Sequence, residues 1–158
     1  MSIIFSRQCE YALQAVLFMA LQENDKATSI RELTGKLHTP YFFMAKILQD
    51  LSHKGLLTSH KGPAGGFALA KLPGHITLFD IIEAIDGGGL LHDCVLGFPE
   101  CSPDHPCALH EHWEKSRDAI NDVLMKKTIE EMAVAMKKPE YQKTEPVFVD
   151  RGDFGDTE

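Results

Sequence analysis

This 158-residue chain has no apolar run near the ~20 residues that a membrane-spanning helix requires. Its first residues, Met1–Phe5, lack the basic and apolar regions of a secretory signal. These two absences predict a cytoplasmic protein with no membrane partner. There are no internal repeats. Cysteine is scarce, at four residues. In a reducing cytosol so few thiols argue against disulfides and for a metal, a cluster or a redox thiol. An excess of positive charge is missing as well: the net charge is −7, which taken as an average argues against a nucleic-acid binder. What is present is an ordinary globular balance, 44% hydrophobic and 25% charged, which excludes wholesale disorder. The length suits one domain, or one small domain with an appendage.

The average charge hides an asymmetry. Residues 1–75 carry eight Lys/Arg against five Asp/Glu, a balance of +3, whereas residues 76–158 carry eight against eighteen, a balance of −10. A basic front on an acidic body suits docking on phosphate through one face.

The first half has the periodicity of three helices followed by a hairpin. Leu13, Val16, Leu17, Ala20 and Leu21 form a helical stripe, with Ser6 as its cap. Ser29 with Glu32 opens a short second helix to about Lys36. Thr39 and Pro40 predict the cap and first position of a third, running to Lys54 with Phe43, Ile47, Leu48 and Leu51 inward. Gly55 ends it. Leu56–His60 and Phe67–Ala70, separated by Lys61-Gly62-Pro63-Ala64-Gly65-Gly66, predict a β-hairpin. That order is a winged helix-turn-helix, with the third helix as recognition helix and the hairpin as wing.

In the second half, Thr77 and Asp80 cap a helix over Ile76–Ile85, stopped by Gly87-Gly88-Gly89. Residues 90–107 hold Pro99, Pro103 and Pro106 and predict an irregular loop. A long helix from Ala108 to Lys126 carries Trp113, Ile120, Val123 and Leu124 on one stripe. Thr128 with Glu131 caps a last helix to Lys138. The fold class is therefore mainly α with a small β-hairpin wing. Its expected parts are a DNA-binding region over 1–75, the loop with its neighbouring helices over 76–138, which the resemblance given below makes dimerisation helices, and a disordered acidic tail over 139–158.

Three of the four cysteines lie in the loop. Cys94, Cys101, Cys107 and His110 have the spacing C-x6-C-x5-C-x2-H. Three thiolates and an imidazole suit a Cys₃His zinc site and equally an iron–sulfur cluster. The wide gaps lack the tight knuckles of structural zinc and lean toward the cluster. Cys9, alone in the first helix, is expected in the core. Competing readings are a metal-free thiol switch, an accessory protein carrying or assembling a cluster, and an enzyme using Cys107 with His110 or His112.

Several stretches recur together in one known group of proteins. They are Phe5-Ser6 through Glu10-Tyr11-Ala12-Leu13, then Ala45-Lys46-Ile47-Leu48 with Leu51 and Gly55-Leu56-Leu57. Lys61-Gly62-Pro63 with Gly65-Gly66-Phe67, Ile81-Ile82 with Ala84-Ile85-Asp86-Gly87, and the cysteine loop complete the set. On these motifs, residues 1–137 resemble the Rrf-two family of winged-helix transcriptional regulators, whose cluster-sensing members include IscR, NsrR and RirA. The resemblance implies a homodimer on promoter DNA, acting as a repressor, with an iron–sulfur cluster that sets DNA affinity in response to iron, redox or nitric oxide status. The 2Fe–2S form is expected ahead of 4Fe–4S, with zinc as the alternative. It implies Cys94, Cys101 and Cys107 as ligands, with His110 in the IscR-like fourth position and Glu10 of a second subunit as the NsrR-like alternative. Six residues separate the first two cysteines, where many members have five. The recognition helix is poor in polar base readers. Thr39, Tyr41 and Gln49 are expected to hydrogen-bond bases, and Lys46 and Lys61 to contact phosphate. Phe42 is expected against a thymine methyl, beside Ala45. Gly62, Gly65 and Gly66 would let the wing approach the DNA closely.

Overall fold

The structure, a computed structural model, describes residues 4–22 and 26–139. Helix α1 spans Arg7–Leu21, and Ser6 caps it by accepting the Cys9 N–H at 3.1 Å. Its buried line is Cys9, Ala12, Ala15, Val16 and Met19, with Leu13, Leu17 and Ala20 only partly covered. The buried face is thus rotated from the expected stripe. Cys9, Ala12 and Ala15 are small, so the neighbouring helices approach the α1 backbone there and the larger residues pack along the flanks.

Helix α2, Ile30–Leu37, starts at Ser29, whose hydroxyl accepts the Glu32 N–H, and ends at His38 in the left-handed region (φ 48°). Helix α3 spans Tyr41–His53. Thr39 does not cap it; Pro40 occupies the cap position and makes no side-chain hydrogen bond. Met44, Ile47, Leu48 and Leu51 are buried, while Phe43 is half-buried with its ring edge-on to Tyr11 at 5.8 Å. The chain leaves α3 through Gly55 at φ 75°, a turn that suits glycine.

Strands β1 (Leu57–His60) and β2 (Gly66–Leu69) pair antiparallel, with Leu57 opposite Leu69 and Ser59 opposite Phe67. Leu57 and Phe67 turn into the core. Thr28, just ahead of α2, exchanges two backbone hydrogen bonds with Phe67 at 2.8 and 2.9 Å. The wing is therefore tied to the helix-turn-helix by its own backbone.

Helix α4 spans Leu78–Ile85. It begins two residues later than expected because Ile76 is in use elsewhere: its carbonyl accepts the Ile129 N–H at 2.8 Å, while the Leu78 N–H donates to the Lys127 carbonyl at 3.0 Å. Two complete capping boxes, Thr77/Asp80 and Thr128/Glu131, flank that junction. One turn, α5 (Gly89–His92), precedes the cysteine loop, and α6 (His110–Lys126) and α7 (Ile129–Met136) follow it. The main core lies among α1, α2, α3, the wing and the inner face of α4. A smaller cluster of Cys9, Ile82 and Leu124 joins α1, α4 and α6. Residues 140–158, most of the expected disordered tail, lie outside the described residues.

Candidate metal centre and nucleic-acid interface

The cysteine loop brings three sulfurs together from positions 94, 101 and 107. Their Sγ atoms all lie within 4.8 Å of one another. Cys94 Sγ is 3.7 Å from Cys107 Sγ, and Cys101 Sγ is 3.2 Å from His110 Nδ1. Local sequence explains the convergence. Gly97 (φ 74°) returns the chain, its N–H bonding to the Cys94 carbonyl at 2.9 Å. That turn aims the backbone N–H of Phe98, and then that of Leu96, at the Cys94 sulfur, which pulls its thiol down to about 7 against the effect of burial. The Cys107 carbonyl accepts the His110 N–H at 3.1 Å, so the last cysteine abuts the start of α6. The Cys107 backbone lowers the Cys101 thiol, but burial and the neighbouring thiols of Cys107 and Cys94 outweigh it and hold Cys101 above its usual range.

Thiols this close cannot all ionise without a cation among them. A metal–sulfur bond of about 2.3 Å in tetrahedral geometry places two sulfurs about 3.8 Å apart, and the Cys94–Cys107 separation matches it. His110 directs Nδ1 into the same group, while its Nε2 is buried without a hydrogen-bond partner. The donor set of three thiolates and one imidazole therefore fits an iron or zinc centre.

Two residues beyond the sequence expectation hold the entry to the loop. Trp113 Nε1 donates to the Asp93 carbonyl at 3.0 Å, and Arg117 Nη1 donates to the His92 carbonyl at 3.2 Å. Both line the small pocket that contains the three cysteines and His110. Their signal was the helical spacing His110, Trp113, Arg117, which puts an indole and a guanidinium on the ligand face of α6. On the other side of the loop, Asp86 at the end of α4 accepts the Ser6 N–H at 2.8 Å and also hydrogen-bonds the Ser6 hydroxyl. The start of α1 is thereby joined to the segment that enters the loop. Cys9 lies beneath this contact. Burial and then the Asp86 carboxylate push its thiol up to about 12, which keeps it protonated. Glu10, in the first turn of α1, is not among the ligand atoms that converge within this chain. His112 is exposed and lies outside the pocket that holds Cys107.

In the helix-turn-helix, α3 presents Tyr41, Phe42, Lys46 and Gln49 to solvent, with Ala45 half-covered. Phe42 is 87% exposed, so of the adjacent phenylalanines it is Phe43 that serves the core. Lys46 is held by Asp50 in an ion pair of 2.8 Å, whereas Lys61 is exposed on the wing. Thr39 does not fit a base-reading role: it is buried, and its hydroxyl donates to the Leu37 carbonyl at 3.2 Å. The wing glycines divide. A side chain at Gly62 would meet nothing within 4 Å. One at Gly65 would lie 2.8 Å from the Gly62 carbonyl oxygen, and one at Gly66 would lie 2.6 Å from the Thr28 carbonyl carbon. Gly65 is thus required by the turn of the wing itself and Gly66 by the close approach of Thr28, whereas Gly62 has open space around it.

Comparison with known proteins agrees with this architecture. The Rrf2 family, described as an iron-dependent transcriptional regulator, matches residues 5–135. A helix-turn-helix-type transcriptional regulator of Aquifex aeolicus is 37% identical over 132 residues, 82% of this chain and 91% of that protein. The structure of CymR, the global cysteine regulator of Bacillus subtilis, superimposes with a TM-score of 0.71 at 25% identity, covering 85% of this chain and 98% of that one. The structure of T. potens IscR superimposes with a TM-score of 0.69 at 23% identity, covering 90% and 91%. With a winged helix-turn-helix at one end, a cysteine loop at the other and a family match over nearly all the residues between, the chain belongs to the Rrf2 family of transcriptional regulators.

Proposed function

We propose that this chain is a cytoplasmic, homodimeric DNA-binding repressor whose promoter affinity is set by an iron–sulfur cluster of the 2Fe–2S type. The observation that carries the reading is the convergence of three cysteine sulfurs and His110 Nδ1 at the start of α6. Cys94, Cys101 and Cys107 would hold the cluster as thiolates, and His110 through Nδ1; Glu10 of a second subunit is the alternative to His110. Bound there, the cluster supplies a centre that iron shortage, oxidant or nitric oxide can dismantle.

The chain's own residues carry the consequence to DNA. The loop joins the end of α4 to the start of α6. Asp86, at the end of α4, grips Ser6 at the start of α1, and α1 packs with α3 in one core. A loop ordered around its ligands fixes α4, and through it the tilt of α3 and the wing. In this reading, residues 1–75 form the reading head and residues 76–138 hold the loop and the dimer helices. Two heads about 34 Å apart engage successive half-sites. Tyr41, Phe42, Ala45 and Gln49 meet base edges, and Lys46, Lys61 and Gly62 meet the backbone. A coupling of ~1–3 kcal/mol changes DNA affinity about 5- to 150-fold.

A second reading follows from one distance. The 3.7 Å between Cys94 and Cys107 sulfurs is the edge expected around a single tetrahedral ion, so a structural zinc is the alternative. An absorption spectrum of anaerobically purified protein, with iron and sulfide assayed on the same sample, separates the two. Visible bands with matching iron and sulfide are expected, together with a shift in promoter retardation on cluster removal. A colourless protein containing zinc, or equal DNA binding with and without the cluster, overturns the proposal.

A further inference from the structure

Arg117 sits seven residues after His110 on α6, nearly two full turns, and therefore on the same helical face. It lines the pocket that holds the three cysteines. Of the five N–H donors on a guanidinium, one is accounted for by the His92 carbonyl at 3.2 Å. Nε is buried with no acceptor. Among the described residues Arg117 forms no ion pair with a carboxylate. A guanidinium stays charged at every accessible pH, and a partly buried one ordinarily finds an anion. The groups that share its pocket and become anionic are the thiols.

Charge counting gives the sign. Three thiolates around a divalent ion leave a net charge of −1, and a 2Fe–2S core of charge +2 with the same thiolates also leaves −1. A neutral imidazole does not offset either. We propose that Arg117 is a positioning residue for the metal centre. Its guanidinium supplies the counter-charge to the thiolate set, and its bond to the His92 carbonyl anchors the segment that delivers Cys94. This rests on the reading of the loop as a metal centre. Trp113, bonded to the next carbonyl along, contributes anchoring without charge, so anchoring and charge can be tested separately.

The test uses the full chain, reduced and metal-free, titrated with Co²⁺ in competition with a chromophoric chelator at fixed pH. Partners outside the ligand set typically change metal affinity 10- to 100-fold. R117M, which keeps side-chain length and removes the charge, is expected to weaken Co²⁺ binding by that factor. R117K is expected to recover most of the loss. The thiolate-to-cobalt absorption band should persist in both variants, showing the same ligands. R117Q retains a donor for the His92 carbonyl without the charge and gives the same weakening, which serves if R117M does not fold. Co²⁺ affinity in R117M or R117Q within threefold of the wild type overturns the role, as does R117K binding no better than R117M. A wild-type chain that takes up no Co²⁺ overturns the metal-centre reading and the role of Arg117 with it. Uptake by wild type with unaltered variants overturns the role of Arg117 alone.

Discussion

Gly66 offers a sharp test of how the wing is built. Its φ of 155° lies where L side chains are strained, and an added Cβ would fall 2.6 Å from the Thr28 carbonyl carbon and 2.9 Å from the Ser29 nitrogen. Alanine at this position cannot coexist with the Thr28–Phe67 pair, whose hydrogen bonds are 2.8 and 2.9 Å. Losing both costs about 2 kcal/mol, at roughly 1 kcal/mol each. Backbone strain adds about 1–3 kcal/mol. The expected destabilisation of Gly66→Ala is therefore about 3–5 kcal/mol, a large share of the ~5–15 kcal/mol that holds a domain together. Gly62→Ala is the matched control. It has positive φ (105°) but open space around it, so only the strain of about 1–3 kcal/mol applies. Urea unfolding of the full chain, followed by circular dichroism, measures both. The gap between the variants should be about 2 kcal/mol, and Gly66→Ala should also lose promoter binding as the wing detaches. Equal destabilisation of the two variants, or a change below about 1 kcal/mol for Gly66→Ala, would refute the claim that the Thr28–Phe67 pair fixes the wing.

Four further outcomes are expected. Asp86→Ala removes two acceptors from Ser6 and should cost about 1–2 kcal/mol in urea unfolding. It should also shrink the ratio between metal-loaded and metal-free DNA affinity measured by gel retardation; an unchanged ratio removes Asp86 from the coupling route. Metal uptake should weaken as pH falls below about 7, where Cys94 takes up its proton, and should release protons above that pH because burial and then the neighbouring thiols hold Cys101 protonated. Calorimetry in buffers of different ionisation enthalpy reads the proton count, and a count near zero at pH 7.5 contradicts the thiol assignment. Phe42→Ala should leave stability within about 0.5 kcal/mol, since the ring is exposed, yet weaken promoter binding. Lys61→Ala should lower the slope of log affinity against log salt by about 0.9, which anisotropy titrations across salt concentrations would show.

Local signals carried most of the secondary structure. Ser6, Ser29, Thr77 and Thr128 each cap the helix that their sequence context announces. The hairpin was legible because the glycine-rich turn separates two short apolar runs. Thr39 misled because Thr-Pro is both a cap signal and an ordinary buried turn; its hydroxyl turns back to the Leu37 carbonyl two residues earlier instead of forward to the helix. The buried face of α1 was displaced for a related reason, since periodicity weights large residues while close helix contact selects Ala12 and Ala15. Of the candidate site, ligand types and spacing were visible in sequence. The supporting contacts were not, because Asp86–Ser6 spans 80 residues and Arg117–His92 spans 25. Long-range pairs of that kind leave no local periodic trace.

The junction of the two capping boxes acts on the rest of the molecule as a pin. Backbone bonds from Leu78 to Lys127 and from Ile129 to Ile76 fasten the start of α4 to the end of α6. Sliding at that end would break both. The residues from Ile76 to Ile129 thus form a frame closed at that end by the two backbone bonds and carrying the cysteine loop between its arms. In the proposed switch, rearrangement at the loop becomes rotation about the pinned end. With 17 residues, α6 is an arm of about 25 Å, so a 2 Å displacement at its loop end turns it by about 5°. In the proposed switch, Asp86, which holds Ser6, passes that rotation to the reading head.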